Sequence, residues 1–124
     1  MHELPLSGLG IVILEDDYYQ AQDSWMILEK AGARIVAASA TIPDLDALLA
    51  DGAVDLVLID INLGHGMSFD FARSLKARAI PFVFLTGYDT GILPDDLEGS
   101  PHLGKPADGA RIVTALAKLA GRTT

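Results

Sequence analysis

Short apolar runs recur along the chain and are separated by stretches of helical length. The clearest runs cover residues 10–14, 56–60 and 81–86. Runs of about five apolar residues are typical of buried strands in a parallel sheet, and the stretches between them have the length of crossover helices. The sequence therefore predicts alternating strand and helix units, without an internal repeat or a low-complexity tract.

Weaker patterns fill the gaps between these runs. We expect helices over residues 18–31, 41–52, 68–78, 95–98 and 108–120, and further strands over 34–38 and 102–104. Trp25 falls on the same helical face as Ala21 and Leu28, so we expect it in the core. Right-handed crossovers with helices on both faces then give an α/β fold. This fold is an open, doubly wound parallel sheet of the flavodoxin type with strand order 2-1-3-4-5.

Length and composition limit the class of protein. At 124 residues the chain has the length of one domain, with a loose lead-in expected over residues 1–9, a domain over 10–121 and a tail over 122–124. No apolar stretch approaches the roughly 20 residues that span a bilayer, the start lacks a basic secretory signal, and cysteine is absent. We therefore expect a cytoplasmic protein without membrane contact. The net charge of −8 argues against nucleic-acid binding.

Polar side chains close four of the predicted strands. Glu15 and Asp16 follow the first strand, Asp60 ends the third, Thr86 ends the fourth and Lys105 follows the fifth. Ligands of such sheets bind outside the carboxyl ends of the strands, so these groups should share one rim. Each alone has a plain explanation, as a turn former, a strand residue or a solvated charge. Together they predict a functional pocket.

The carboxylates of this pocket predict a bound cation. Two carboxylates about 5 Å apart repel by about 3 kcal/mol at an effective dielectric near 20. Mg²⁺, or Mn²⁺, is the natural candidate because it takes hard oxygen ligands. We assign Asp16 and Asp60 as direct ligands, Glu15 as a partner through water and the backbone carbonyl of Asn62 as a third protein ligand. Asp17 is expected to be a helix N-terminal acid instead.

The same pocket has the groups that phosphoryl acceptance needs. A carboxylate such as that of Asp60 can attack phosphorus and form an acyl phosphate, whose new charge must be neutralised nearby. Lys105 supplies a mobile positive charge, and the hydroxyl of Thr86 can donate a hydrogen bond once an acceptor has arrived. Thr86 would thereby sense the modification.

In order and spacing, these residues resemble the receiver domain of two-component response regulators from residue 9 to residue 121. The resemblance implies the following roles: Glu15 and Asp16 as the acidic pair, Asp60 as the phosphoacceptor, Thr86 as the switch hydroxyl, and Lys105 followed by a cis proline, Pro106. It implies a signalling domain that accepts phosphate from a histidine kinase or a phosphotransfer protein. Such a domain acts as a switch, a relay or a phosphate sink. No output domain is expected after residue 121, so its effect would pass to an unidentified downstream protein.

A finer pattern, residues 60–64 followed by residues 81–88, is similar to a receiver subgroup nicknamed FAT GUY. Members of that subgroup are often single-domain proteins and lack the aromatic residue that most receivers carry on the fifth strand. Leu85 stands where the nickname has alanine, and His102 stands at the position of the usual aromatic residue. We therefore expect phosphorylation to order the segment from residue 87 to residue 99, through Tyr88, and not to act through an aromatic switch.

Two other functions compete with the receiver. One is a degenerate receiver that serves only as a protein-binding module. The other is a phosphatase of the haloacid dehalogenase type. In that class the nucleophile follows the first strand and the acidic pair comes late, and Asn62 stands where that class has a second aspartate. The apolar stripe of the last helix is explained by core packing and leaves a homodimer open.

Overall fold

The computed structural model describes residues 4–61, 63, 68–87, 93–105 and 107–122. Its sheet is entirely parallel, in the predicted order β2-β1-β3-β4-β5. The strands are β1 (Gly10–Leu14), β2 (Arg34–Ser39), β3 (Leu56–Asp60), β4 (Phe82–Thr86) and β5 (His102–Gly104). The helices are α1 (Tyr18–Lys30), α2 (Leu45–Ala50), α3 (Ser68–Ala77) and α4 (Gly109–Leu119), with a 3₁₀ turn at Asp95–Leu97. None of the described helices has the length and apolarity to cross a membrane.

The three central strands are buried on both faces, which explains why they are apolar throughout. Alternate side chains feed two core layers. One layer packs against α2, α3 and the 3₁₀ turn through residues such as Leu48, Leu75 and Leu97. The other packs against α1 and α4 through residues such as Leu28 and Leu116. Helices therefore cover both faces of the sheet, as the crossover rule requires.

Aspartate side chains cap the N-termini of three of the described helices. Asp17, Asp44 and Asp108 each have extended backbone dihedrals and accept hydrogen bonds from amides of the first turn. The expectation for Asp17 is thus confirmed. The second helix begins at Leu45 and not at residue 41 as expected, because Asp44 is its capping residue. α3 begins at Ser68, as expected.

Trp25 was expected in the core, and this expectation was wrong. Its exposed fraction is 37%, whereas Ser24 and Leu28 are the buried residues of α1. Successive helical residues are rotated by about 100°, so burial of Ser24 and Leu28 turns Trp25 to the edge of the packed face. Trp25 instead lines a surface cavity beside the polar rim of the sheet.

The described part of the lead-in packs against the domain, in contrast to the loose segment expected. Leu6 has no exposed surface, its amide donates to the carbonyl of Ala31 at 2.8 Å, and Arg122 donates to the carbonyl of Ser7. Gly32 permits this approach: its φ is +101°, and a Cβ there would lie 2.8 Å from the Cα of Ser7. The single buried leucine gives no periodic signal in the sequence.

The 3₁₀ turn lies where a short helix was expected and is anchored in two ways. Leu97 is fully buried in the core layer of α3. Arg73 on α3 makes two bonds to the carboxylate of Asp96, at 2.7 and 3.1 Å, and a third to Asp70 at 2.8 Å. These bonds raise the pKa of Arg73 and lower that of Asp96, with the Arg73–Asp96 hydrogen bond as the largest cause of both shifts. The turn is therefore fixed against α3.

Candidate functional site

The strand registers bring the polar strand ends together. Leu14 pairs with Ile59 across β1 and β3, so Glu15 and Asp60 are the next residues along both strands. Carboxylate oxygens of Glu15, Asp16 and Asp60 all lie within 4.8 Å of one another. Glu15 and Asp60 are buried and Asp16 is exposed. The predicted acidic pocket is present, with its mouth at Asp16.

Glu15 has an unusual charge environment for a carboxyl group. Burial, followed by a hydrogen bond with Asp60, raises its pKa from 4.5 to about 7. The amide of Asp17, which donates to Glu15 Oε2 at 3.2 Å, and the charge of Lys105 act in the opposite direction. Burial beside the carboxylate of Asp60 disfavours the ionised form of Glu15, so without a cation a part of the Glu15 carboxyl groups is protonated near pH 7.

Lys105 enters the same pocket from the end of β5. Its Nζ lies 3.2 Å from Glu15 Oε1 and 3.2 Å from Asp60 Oδ2. Its backbone amide donates to the carbonyl of Thr86 at 2.7 Å, which fixes the start of the side chain beside β4. Burial lowers the pKa of Lys105, but the charges of Asp60 and Glu15 outweigh this effect and raise it above 10.5. The ammonium group therefore bridges the two buried carboxylates.

Thr86 and His102 occupy different environments. Thr86 ends β4 and is 2% exposed, and its neighbour in register on β5 is Gly104. His102 begins β5, is exposed, and has its Nδ1 3.2 Å from the carbonyl of Ser100. Thr86 thus lies at the same rim as Asp60 and Lys105, whereas the ring of His102 is at the surface.

Three of the predicted site residues lie outside the described residues. These are Asn62, assigned as a metal ligand through its carbonyl, Tyr88, assigned to the switch, and Pro106, assigned as a cis proline. Their roles stay predictions.

Two cavities flank α1 and reach this pocket. One, of about 650 Å³, lies between α1 and α4 and extends to Lys105. The other, of about 450 Å³, lies between α1 and the end of β2, and Trp25, Tyr18 and Met26 line it together with Glu15 and Asp16. The sequence did not predict either cavity, because each depends on how far apart the elements pack.

The donor set fits a hard divalent cation. Three carboxylates supply oxygen atoms from two neighbouring strand ends, two of them in buried positions. Burial, followed by the hydrogen bond with Asp60, raises the pKa of Glu15 and so disfavours its ionised form, which a bound cation would favour. Among the described residues, only carboxylates belong to the set, and such oxygen ligands favour Mg²⁺ or Mn²⁺ over Zn²⁺.

Comparison with known proteins places the fold. No protein-family model matches the sequence, and no curated protein matches it. Among solved structures, the response regulator REC domain of PhyR from Erythrobacter litoralis is 22% identical, with a TM-score of 0.77 over 91% of this chain and 90% of that one. SdrG from Sphingomonas melonis Fr1 is 33% identical, with a TM-score of 0.74 over 93% of this chain and 97% of that one. The chain belongs to the response regulator receiver domains.

Membership of this family is consistent with an acidic metal-binding pocket. Receiver domains are signalling domains and not classical enzymes, they bind Mg²⁺ at an acidic cluster, and they interact with kinases or phosphotransfer partners. The BeF₃-activated conformation of SdrG is also similar to this receiver, with 31% identity and a TM-score of 0.75 over 99% of this chain. Membership of the FAT GUY subgroup stays a prediction.

The sequence did not indicate that Ser68 contacts the backbone next to Asp60. Ser68 has no exposed surface, and its hydroxyl donates to the carbonyl of Ile61 at 2.8 Å. Ile61 directly follows Asp60. The sequence indicated only a helix start at Ser68, and no local pattern points to a contact with a residue seven positions earlier.

Proposed function

We propose that this receiver accepts a phosphoryl group on Asp60 and that the reaction depends on a divalent cation held by the acidic pocket. The observation that carries the proposal is the position of Lys105, whose ammonium lies 3.2 Å from both Asp60 and Glu15. A lysine that joins two buried carboxylates at a strand-end rim has the charge and reach that an incoming phosphoryl group needs.

The roles that we propose for the carboxylates in cation binding follow from how exposed each residue is. Asp16 is exposed and Asp60 is buried, so a cation would enter past Asp16 and bind both carboxylates, with Glu15 held through water. The backbone carbonyl of Asn62 would complete the protein ligands. A bound Mg²⁺ or Mn²⁺ supplies positive charge to the oxygens of the phosphoryl group.

In the proposed step, a carboxylate oxygen of Asp60 attacks phosphorus. A new O–P bond forms, and the bond from phosphorus to the donor breaks. With a phosphohistidine donor the electron pair of the P–N bond goes to the imidazole nitrogen. Lys105 then turns from the carboxylate towards a phosphoryl oxygen and neutralises its charge. The hydroxyl of Thr86, at the same rim, donates to another phosphoryl oxygen and so reports the modification.

We propose that the response involves the connection between β4 and β5. Leu97 and Asp96 are already anchored to the core and to Arg73. The expected phosphorylation-dependent change is therefore confined to the part of the connection that precedes Leu93, which includes Tyr88. Unchanged amide exchange between residues 87 and 92 after phosphorylation would contradict this part of the proposal.

The expected phosphate donors are a histidine kinase or a phosphotransfer protein, and the expected recipient of the signal is a further protein. Switch, relay and phosphate sink all use the same pocket. A binding module without phosphorylation is the alternative, and its pocket would not need the ion pair between Lys105 and the buried Asp60.

The test is intact-mass spectrometry after incubation with acetyl phosphate and Mg²⁺. One phosphoryl adduct is expected, and it should be lost with chelator and in Asp60→Asn. The matched control is Asp51→Asn, which alters an exposed aspartate outside the pocket and should leave the adduct unchanged. Absence of the adduct in the unaltered protein, together with absence of Mg²⁺ binding, would favour the binding-module alternative.

A further inference from the structure

The peptide backbone that follows Asp60 is fixed from two sides. The amide of Ile61 donates to the carbonyl of Leu85 on β4 at 2.9 Å. The carbonyl of Ile61 accepts from the hydroxyl of Ser68 at 2.8 Å. Ile61 is 2% exposed and Ser68 is fully buried, so water has little access to either group. One residue is therefore held at both of its backbone polar groups.

Ile61 lies next to the central residue of the proposed site. It links Asp60, the proposed phosphoacceptor and metal ligand, to Asn62, whose carbonyl is the proposed third protein ligand. The hydrogen bond from its backbone amide to the carbonyl of Leu85 connects it to the strand residue directly before Thr86. The peptide unit between Asp60 and Ile61 is planar, so hydrogen bonds at both backbone polar groups of Ile61 restrict the backbone that carries Asp60.

We propose that Ser68 is a positioning residue for the metal and phosphoryl site. Its hydroxyl, in the first turn of α3, donates to the carbonyl of Ile61 and thereby keeps the backbone that carries Asp60 in the orientation that a cation requires. The inference rests on the proposed function. It goes beyond that function because it assigns a role in cation affinity to a residue that touches neither cation nor phosphate.

Ser68→Ala removes the hydroxyl and leaves the rest of the residue in place. The carbonyl of Ile61 then has no donor from Ser68 in a buried position, and the backbone shifts to find another partner. Loss of an outer partner of a metal site typically weakens metal affinity by about 10- to 100-fold. We expect the dissociation constant for Mg²⁺ to rise by about tenfold, and phosphorylation by acetyl phosphate at limiting Mg²⁺ to slow in proportion.

The affinity is measured by titration with Mg²⁺ alone, followed through the emission of Trp25, which lines the cavity that contains Glu15 and Asp16. Two controls separate positioning from general stability. Ser74→Ala removes a hydroxyl that donates to a carbonyl within the same helix, at 3.2 Å and at the surface. Ile11→Val makes a small core cavity in β1, at the end of the strand away from the pocket. Both should keep Mg²⁺ affinity within about twofold of the unaltered protein, whatever they do to the unfolding temperature.

A backbone measurement makes the test independent of activity. Amide exchange of Ile61 should accelerate in Ser68→Ala, and that of Leu58, in the middle of β3, should not. Ser68→Thr keeps the hydroxyl and should keep Mg²⁺ affinity within about twofold. Should Ser68→Ala fail to fold, Ser68→Thr carries the test, and a tenfold loss of affinity in this folded variant would overturn the inference.

The outcomes separate the inference from the function on which it rests. If the unaltered protein binds Mg²⁺ through Asp16 and Ser68→Ala binds it equally well, the positioning role is wrong and the proposed function stands. If the unaltered protein binds no Mg²⁺, both fail. If Ser68→Ala weakens binding no more than Ile11→Val does at equal loss of stability, Ser68 is structural only.

Discussion

Without a divalent cation, the protein should become less stable as the pH rises from about 4.5 to about 7, and Glu15 is the cause. Glu15 is 5% exposed, and its carboxyl group lies beside Asp60 and Lys105. Burial, followed by the hydrogen bond with Asp60, raises its pKa from 4.5 to about 7 in the folded protein. The folded state therefore holds a proton that the unfolded state has already released.

The sign and size of the effect follow from proton linkage. Between the two pKa values the folded state binds more protons than the unfolded state, so the free energy of unfolding falls as the pH rises and levels off above about 7. A pKa difference of this size corresponds to about 3 kcal/mol. Lys105 keeps its charge throughout this window because its pKa lies above 10.5, and the lowered pKa of Asp96 acts only below 3.8.

The assay is urea unfolding with chelator over a pH series, for the unaltered protein and Glu15→Gln. The variant has no proton to lose at this position, so the difference between the two proteins should depend on pH between about 4.5 and about 7 and be constant above it. Glu29→Gln, an exposed position on α1, is the control and should follow the unaltered protein. Saturating Mg²⁺ should offset the loss of stability near neutral pH, since the cation favours the ionised carboxylate. Parallel pH profiles for the unaltered protein and Glu15→Gln would refute this reasoning.

Three further predictions concern other parts of the molecule. Lys105→Met removes the ammonium group that neutralises Glu15 and Asp60. Mg²⁺ should therefore bind about tenfold more tightly, while phosphorylation by acetyl phosphate slows. Weaker Mg²⁺ binding in the titration would contradict this prediction. Leu97→Ala should lower the free energy of unfolding in urea by about 2–5 kcal/mol, because the side chain is fully buried beneath the 3₁₀ turn; a loss below about 1 kcal/mol would mean that the turn is not anchored there. Trp25 emission should change on addition of Mg²⁺, and an equal change in Asp16→Asn would argue against the acidic pocket as the binding site.

The sequence predicted the sheet order and the meeting of the polar strand ends because both follow from general rules. Apolar strand runs and right-handed crossovers define the order, and the carboxyl ends of parallel strands lie at one edge. Asp60 and Lys105 are far apart in the chain, yet one ends a predicted strand and the other directly follows one. This local signal sufficed to predict a shared rim, where Lys105 Nζ lies 3.2 Å from Asp60 Oδ2.

Other features depend on packing that local patterns do not contain. The rotation of α1 about its axis decides whether Trp25 is buried, and the apolar spacing of that helix allowed more than one rotation. Leu6 is buried because Gly32 lets the lead-in approach the end of α1. The hydrogen bond from Ser68 to Ile61 joins residues seven positions apart, and nothing in the local sequence of α3 indicates it.

Chemical mapping of the phosphoryl group tests the central claim most directly. Borohydride reduces an aspartyl phosphate to homoserine, so peptide masses after phosphorylation and reduction identify the modified residue. The account predicts homoserine at position 60 alone, only when Mg²⁺ was present during phosphorylation. Homoserine at Asp16 or Asp17 instead, or modification of Asp60 that is indifferent to chelator, would contradict the account of this pocket.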